Sequence, residues 1–193
     1  MSIKVVKFGG SSLADADKFR RVAEIIAADP DRRYVVPSAP GKRFSDDIKI
    51  TDMLYQCYNL AREASTKEEF ETCYRNICAR FQGIITDLGL DFDISGELSY
   101  IKNAILGRAG RDFAASRGEY LSGLILAKFI GFDFIDAENV ILFKDNGTFD
   151  AEKTHEVLTA ELSRHEHAII PGFYGLMPNG TVKTFSRGGS DIT

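Results

Sequence analysis

Lys7-Phe8-Gly9-Gly10-Ser11-Ser12 combines features that anion chemistry needs. Adjacent glycines let backbone N–H groups approach a negatively charged oxygen, a following helix would add its dipole, and Lys7 supplies a full charge beside them. The plainer alternative is a tight turn next to a solvated lysine. Ser186-Arg187-Gly188-Gly189-Ser190-Asp191 makes a second glycine nest near the other end of the chain. Arg187 can grip a carboxylate or phosphate with two parallel hydrogen bonds, and Asp191 can hold an ammonium or help order a metal. Its alternative is a surface loop. Two such loops in one chain favour a polyanion site more than either does alone. Neither is a Walker loop: Arg43 follows Gly41-Lys42 where Ser or Thr is required, and Val36 stands where the first glycine would be.

Other polar residues carry weaker signals. Glu119, after Gly118, reads as the first residue of a helix, where an acid most often just suits the dipole. Thr51 reads as a helix N-cap. Asp46-Asp47 reads as a solvated loop pair, and His165-Glu166-His167 lacks a third metal ligand. No Gly-x-Ser-x-Gly elbow supports a hydrolase triad.

The elements that must position these groups alternate between strand and helix. Ile3 to Phe8 reads as a strand, and a helix capped by Asp15 or Asp17 follows, with Phe19, Val22, Ala23, Ile25 and Ile26 on one stripe. Tyr34 to Val36 is a second strand. Thr51 to about Arg117 is mostly helical: one helix to Ala64, one from a Thr66/Glu69 capping box to Leu88, one from Ser95. Glu119 to Ile130 is a helix, Phe132–Ile135 and Val140–Phe143 are short strands, and Asp150 caps a helix to Ser163. Ala168–Ile170 is a buried strand, and Pro178-Asn179-Gly180 signals a hairpin within 173–184. The pattern is α/β with a mainly parallel sheet, whose ligands sit at the carboxyl ends of the strands.

Composition fits that class. The chain has 193 residues, 44% hydrophobic and 27% charged, with a net charge of −4. The mildly acidic balance argues against nonspecific nucleic-acid or membrane binding, which needs a basic face. No apolar run approaches the ~18 residues of a membrane span, and no signal peptide opens the chain. Cys57, Cys73 and Cys78 match no zinc or redox spacing, which fits reduced thiols and a cytoplasmic setting.

Six motifs in order resemble the amino acid kinase family, and within it the members that phosphorylate aspartate. They are Val6 to Ser12, Val35 to Lys42, Lys49 to Leu54, Ser116 to Ser122, Pro171 to Gly175, and Phe185 to Asp191. Departures are Pro37 ahead of Ser38, about six added residues over Arg43–Ile48, and Ser186 in place of a glycine. The resemblance implies a three-layer αβα sandwich of the carbamate kinase-like fold, with a helical insertion at about 52–116. It also implies that residues 1–193 form the N-terminal, substrate-binding part of a kinase domain. The nucleotide-binding remainder and ACT regulatory domains would lie outside the sequence, and the fragment alone would be inactive.

By the same resemblance the reaction is phosphoryl transfer from ATP to the β-carboxylate of L-aspartate, opening lysine, threonine and methionine biosynthesis. Mg²⁺ would be held mainly by the nucleotide phosphates, and the full-length protein would be a homo-oligomer. Lys7 would neutralise the transferring phosphoryl group, with Phe8, Gly9, Gly10 and Ser11 forming the phosphate loop. Arg187 would clamp the α-carboxylate, and Glu119, with Asp191, the α-ammonium. Ser38 and Thr51 would orient the substrate on a floor of Gly188, Gly189 and Ser190. Another amino acid kinase, of the glutamate 5-kinase or acetylglutamate kinase type, remains an alternative, as do a non-catalytic amino-acid-binding module and a purely structural partner.

Overall fold

A computed structural model describes residues 3–185 of the chain. The glycine loop at 186–191, with its five expected site residues Arg187, Gly188, Gly189, Ser190 and Asp191, lies outside the described residues.

The chain opens with β1 (Lys4–Phe8), a 3-10 turn (Gly10–Leu13), α1 (Ala16–Ala27) and β2 (Arg32–Pro37). Asp15 caps α1, accepting the Lys18 N–H at 3.0 Å. Four helices follow: α2 (Ile50–Leu60), α3 (Lys67–Leu88), α4 (Ser95–Leu106) and α5 (Arg111–Ile130). Then come β3 (Asp133–Phe134), the short α6 (Ala137–Val140), α7 (Ala151–Leu162), β4 (Ala168–Ile169) and the hairpin β5 (Tyr174–Leu176) and β6 (Val182–Thr184).

β1 to β4 form one parallel sheet in the order β1-β2-β4-β3. Alternation along each strand splits the core into two layers. Phe8, Val35 and Ile169 face one cluster with α1 to α5, whereas Ala168 and Ile170 face the other, built with α6, β5 and Phe143. The parallel sheet between helical layers is the expected αβα arrangement. Lys7 falls with Val5 on the second face, and both are exposed.

Several boundaries differ from the sequence reading. Thr51 is not an N-cap: α2 starts at Ile50, and its N-cap is Lys49, which makes no side-chain cap. Thr66 forms no capping box; its hydroxyl donates instead to the Leu60 and Glu63 carbonyls, at 2.6 and 2.8 Å. Val140–Phe143 is the end of α6 followed by isolated bridges from Leu142 to Leu176 and Phe143 to Phe149. The helical insertion does not stop at 116, because α5 runs unbroken from Arg111 through Gly118-Glu119. Residues Phe113 to Glu119 are all buried, so α5 has no polar face to give the helical period away.

Gly118 sets how closely α5 packs. A Cβ there would lie 2.7 Å from the Ala39 Cβ and 3.2 Å from Ile50 Cγ2. Alanine gains ~1 kcal/mol of helix propensity over glycine, but forcing apart a packed contact costs about 1–3 kcal/mol. Gly118→Ala is therefore expected to lose ~1 kcal/mol net in urea denaturation; a more stable variant would refute the tight-packing role.

Candidate active site

The carboxyl ends of β1 and β2 are locked to each other. The Ser38 N–H donates to the Phe8 carbonyl at 3.0 Å, and the Gly41 N–H donates to the Gly10 carbonyl at 2.8 Å. A Cβ on Gly41 would meet the Gly10 carbonyl carbon at 2.7 Å, and one on Gly10 would meet the Ala39 oxygen at 2.8 Å. Close approach, not a special φ, requires glycine at both positions. Gly9 is different: a Cβ there would meet nothing within 4 Å.

This geometry revises the phosphate-loop expectation in two ways. The amides next to Gly9 belong to the 3-10 turn Gly10–Leu13, while the start of α1 is closed by Asp15. Phe8 contributes its side chain to the core and its carbonyl to Ser38. Gly9 and Ser11 are exposed, Gly10 and Ser38 half-buried.

Beyond the sheet ends lies a cleft of about 1110 Å³ whose walls include Thr51, Tyr55, Arg111, Glu119, Phe173 and Lys183. Glu119 is 7% exposed, and its Oε2 has no hydrogen-bond partner among the described residues. Burial pushes its pKa up to about 8, opposed by the backbone N–H groups of Ala39 and Glu119 and by the charge of Arg117. A carboxyl group so placed suits a cation that brings its own hydrogen-bond donors, such as a primary ammonium. Sequence reasoning put Glu119 in a first helical turn; it sits instead in the third turn of α5, where burial rather than the dipole sets its chemistry.

Thr51 and Glu119 thus share one cleft, and Ala39 ties Glu119 to the loop of Ser38. Lys7, near the carboxyl end of β1, and the Gly9–Ser11 turn that follows adjoin the cleft and are not among the described residues that form its wall. Phe185, immediately before the 186–191 loop, does line the cleft, and its N–H donates to the Phe173 carbonyl at 2.8 Å. Phe173 itself has φ 80, a left-handed conformation that is strained for a bulky residue and recurs at functional sites.

Sequence reasoning missed three buried charges, Asp47, Arg80 and Arg117. Asp47, expected in solvent, is 9% exposed and accepts from Arg80 at 2.8 Å, from two Arg43 side-chain nitrogens, both at 2.8 Å, and from the Arg43 backbone N–H at 2.9 Å. The Arg43 hydrogen bonds hold its carboxyl well below the usual carboxylate range, against the effect of burial. A signal existed in Arg80, a charged residue on the apolar stripe of α3 between Ile77 and Ile84. Arg117 is 3% exposed, pairs with Glu138 at 2.6 Å and stacks on Phe113, Tyr120 and Tyr174. The three cysteines are free, and Cys57 and Cys73 are buried. Among the described residues no cluster of three or more His, Cys, Asp or Glu could hold a metal ion, and no helix is long and apolar enough to cross a membrane.

Comparison with known proteins extends these observations. The aspartate kinase of Clostridium acetobutylicum superposes with a TM-score of 0.95 at 47% identity, covering 100% of this chain and 44% of that one. Aspartokinase III of E. coli, solved in complex with aspartate and ADP, gives 0.78 at 29% identity, covering 100% of this chain and 45% of that one. Aspartokinase 3 of Bacillus subtilis is 32% identical over 205 residues, which are 99% of this chain and 44% of that protein. The chain therefore spans less than half the length of these relatives. The Amino acid kinase family pattern matches residues 2–193, and the described residues form a mainly parallel sheet flanked by helices, as in those aspartate kinase structures; the chain belongs to the amino acid kinase family.

Proposed function

We propose that this chain is the N-terminal, substrate-binding part of an aspartokinase, which transfers the terminal phosphoryl group of ATP to the β-carboxylate of L-aspartate. The observation that carries the reading is Glu119: a buried carboxyl with an oxygen that no described residue satisfies, in a cleft it shares with Thr51. The likeness to aspartate kinases along the whole chain supports it.

The chemistry needs no general base. A free β-carboxylate has a pKa of ~3.9 and is already ionised at neutral pH. The obstacle is the approach of an anion to a polyphosphate, so the protein must supply cations and aligned donors. In this reading Glu119 holds the α-ammonium, Arg187 the α-carboxylate, and Ser38 and Thr51 fix the orientation. Lys7 and the amides of the Gly9–Ser11 turn meet the transferring phosphoryl group. Mg²⁺ travels with the nucleotide phosphates, and the product feeds amino-acid biosynthesis in the cytoplasm.

The test is a calorimetric titration with L-aspartate, with N-acetyl-L-glutamate as control and Arg187→Ala as the variant. Aspartate-selective binding that the variant loses is the expected result. Selective binding of the acetylated control, which has no ammonium, would assign the chain to another amino acid kinase. If neither ligand binds, the titration moves to the full-length protein, where absence of aspartate binding would refute the proposal.

A further inference from the structure

Arg80 joins three segments that are far apart in sequence. From α3 its guanidinium donates to the Ala14 carbonyl through Nε at 3.3 Å and Nη2 at 3.0 Å, to the Gly41 carbonyl at 2.6 Å, and to Asp47 at 2.8 Å. The side chain is 6% exposed. Ala14 is the C-cap of the Gly10–Leu13 turn, and Gly41 donates its own N–H to Gly10. One planar fork therefore grips the far end of the β1 turn and the β2 loop that closes on its near end. A lysine, with a single nitrogen, cannot span these acceptors.

The grip also orients donors. In a trans peptide the N–H points opposite to the preceding carbonyl. With the Gly41 carbonyl drawn to Arg80, the Lys42 N–H is turned away from the core. Asp47 is shared by Arg80 and Arg43, and Asp15 also lies close enough to favour the charge on both arginines, so the charges behind the β1 and β2 loops are balanced. A buried ion pair is weak evidence for stability as such, and fixing a geometry is the role that remains for it.

We propose that Arg80 is a positioning residue for phosphoryl transfer, holding the Gly9–Ser12 turn and the Ser38–Lys42 loop in register through Ala14, Gly41 and Asp47. The catalytic half of this statement rests on the aspartokinase reading; the positioning half does not. The α2–α4 region then serves the site directly, since α3 carries the residue that fixes the loops.

Two measurements test it. Hydrogen–deuterium exchange on the chain itself compares wild type with Arg80→Lys. Exchange in peptides covering 8–15 and 38–43 is expected to speed up by at least about tenfold, with α5 peptides unchanged. Kinetics in the full-length protein should show kcat down ~10- to 100-fold, with the aspartate Kd within about threefold of wild type. A merely structural role would instead accelerate exchange throughout, α5 included, and move kcat, Kd and Tm together. Unchanged loop exchange in a folded variant overturns the proposal. If wild type forms no ADP with aspartate, the functional reading fails, while the exchange comparison still decides the role of Arg80. Should Arg80→Lys not fold, Asp47→Asn, which keeps the guanidinium and removes its counter-charge, decides by the same exchange pattern.

Discussion

Lys7→Ala is expected to lower kcat for aspartate phosphorylation by ~10²- to 10³-fold, the range for loss of one electrostatic stabiliser of a transition state. The argument starts from the strand. Lys7 is the penultimate residue of β1, paired with Val36, and alternation directs it to the opposite face from Phe8. It stands exposed at the carboxyl end of the sheet, next to the turn whose glycines allow close backbone approach. In the proposed reaction the negative charge of the acceptor and that of the polyphosphate converge there, and a lysine is a compact point charge for that task. Exposed substitutions usually change stability by within about 0.5 kcal/mol, so the loss should appear in kcat and not in Tm. Aspartate affinity should stay within about threefold, since the proposed ammonium site is on α5. A Lys7→Ala enzyme with normal turnover would remove Lys7 from the mechanism.

The order of elements was readable because most of them advertise themselves locally. Asp15 and Asp150 cap α1 and α7 as their side chains predict, and the stripe Phe70, Cys73, Tyr74, Ile77, Phe81, Ile84 is buried along α3. The failures at Asp47, Arg117 and Glu119 share a cause, which is that burial inverted the meaning of a polar residue. Ser116-Arg117 and Glu119 looked like a helix boundary, yet Ser116 bonds the Phe113 carbonyl at 2.7 Å and Arg117 lies among three rings. Asp47 looked solvated because its partners, Arg80 on α3 and Arg43 on its own loop, cannot be paired from one-dimensional spacing. The Gly9-Gly10 loop was conspicuous in sequence, but the Gly10–Gly41 contact that joins the β1 and β2 loops is a product of the parallel register.

The same inversion gives Glu119 a measurable pH signature. Its pKa of about 8 in the folded chain lies above the ordinary ~4.3 of a glutamate in the unfolded chain. Between those values the folded state binds the extra proton, so stability from this group is greatest at low pH and falls as pH rises towards 8. Glu119→Gln, which cannot ionise, should remove that slope in denaturation of the ligand-free chain, and the variant should gain relative to wild type as pH rises from 5 to 8. Binding must show the opposite trend. An ammonium is held best by the carboxylate, so aspartate binding near pH 7 should release close to one proton, visible as a dependence of calorimetric enthalpy on the ionisation enthalpy of the buffer. Affinity should rise by up to tenfold per pH unit below the pKa of about 8 and level off above it. Replacing the carboxylate by an amide should cost ~1.5–3 kcal/mol, about 10- to 100-fold in Kd, and abolish the proton release. Were Glu119 merely a buried structural acid, Glu119→Gln would flatten the stability profile and leave aspartate affinity and its pH dependence untouched. That outcome would retain the account of burial and discard the ammonium site, which is why the two titrations belong on the same pair of proteins.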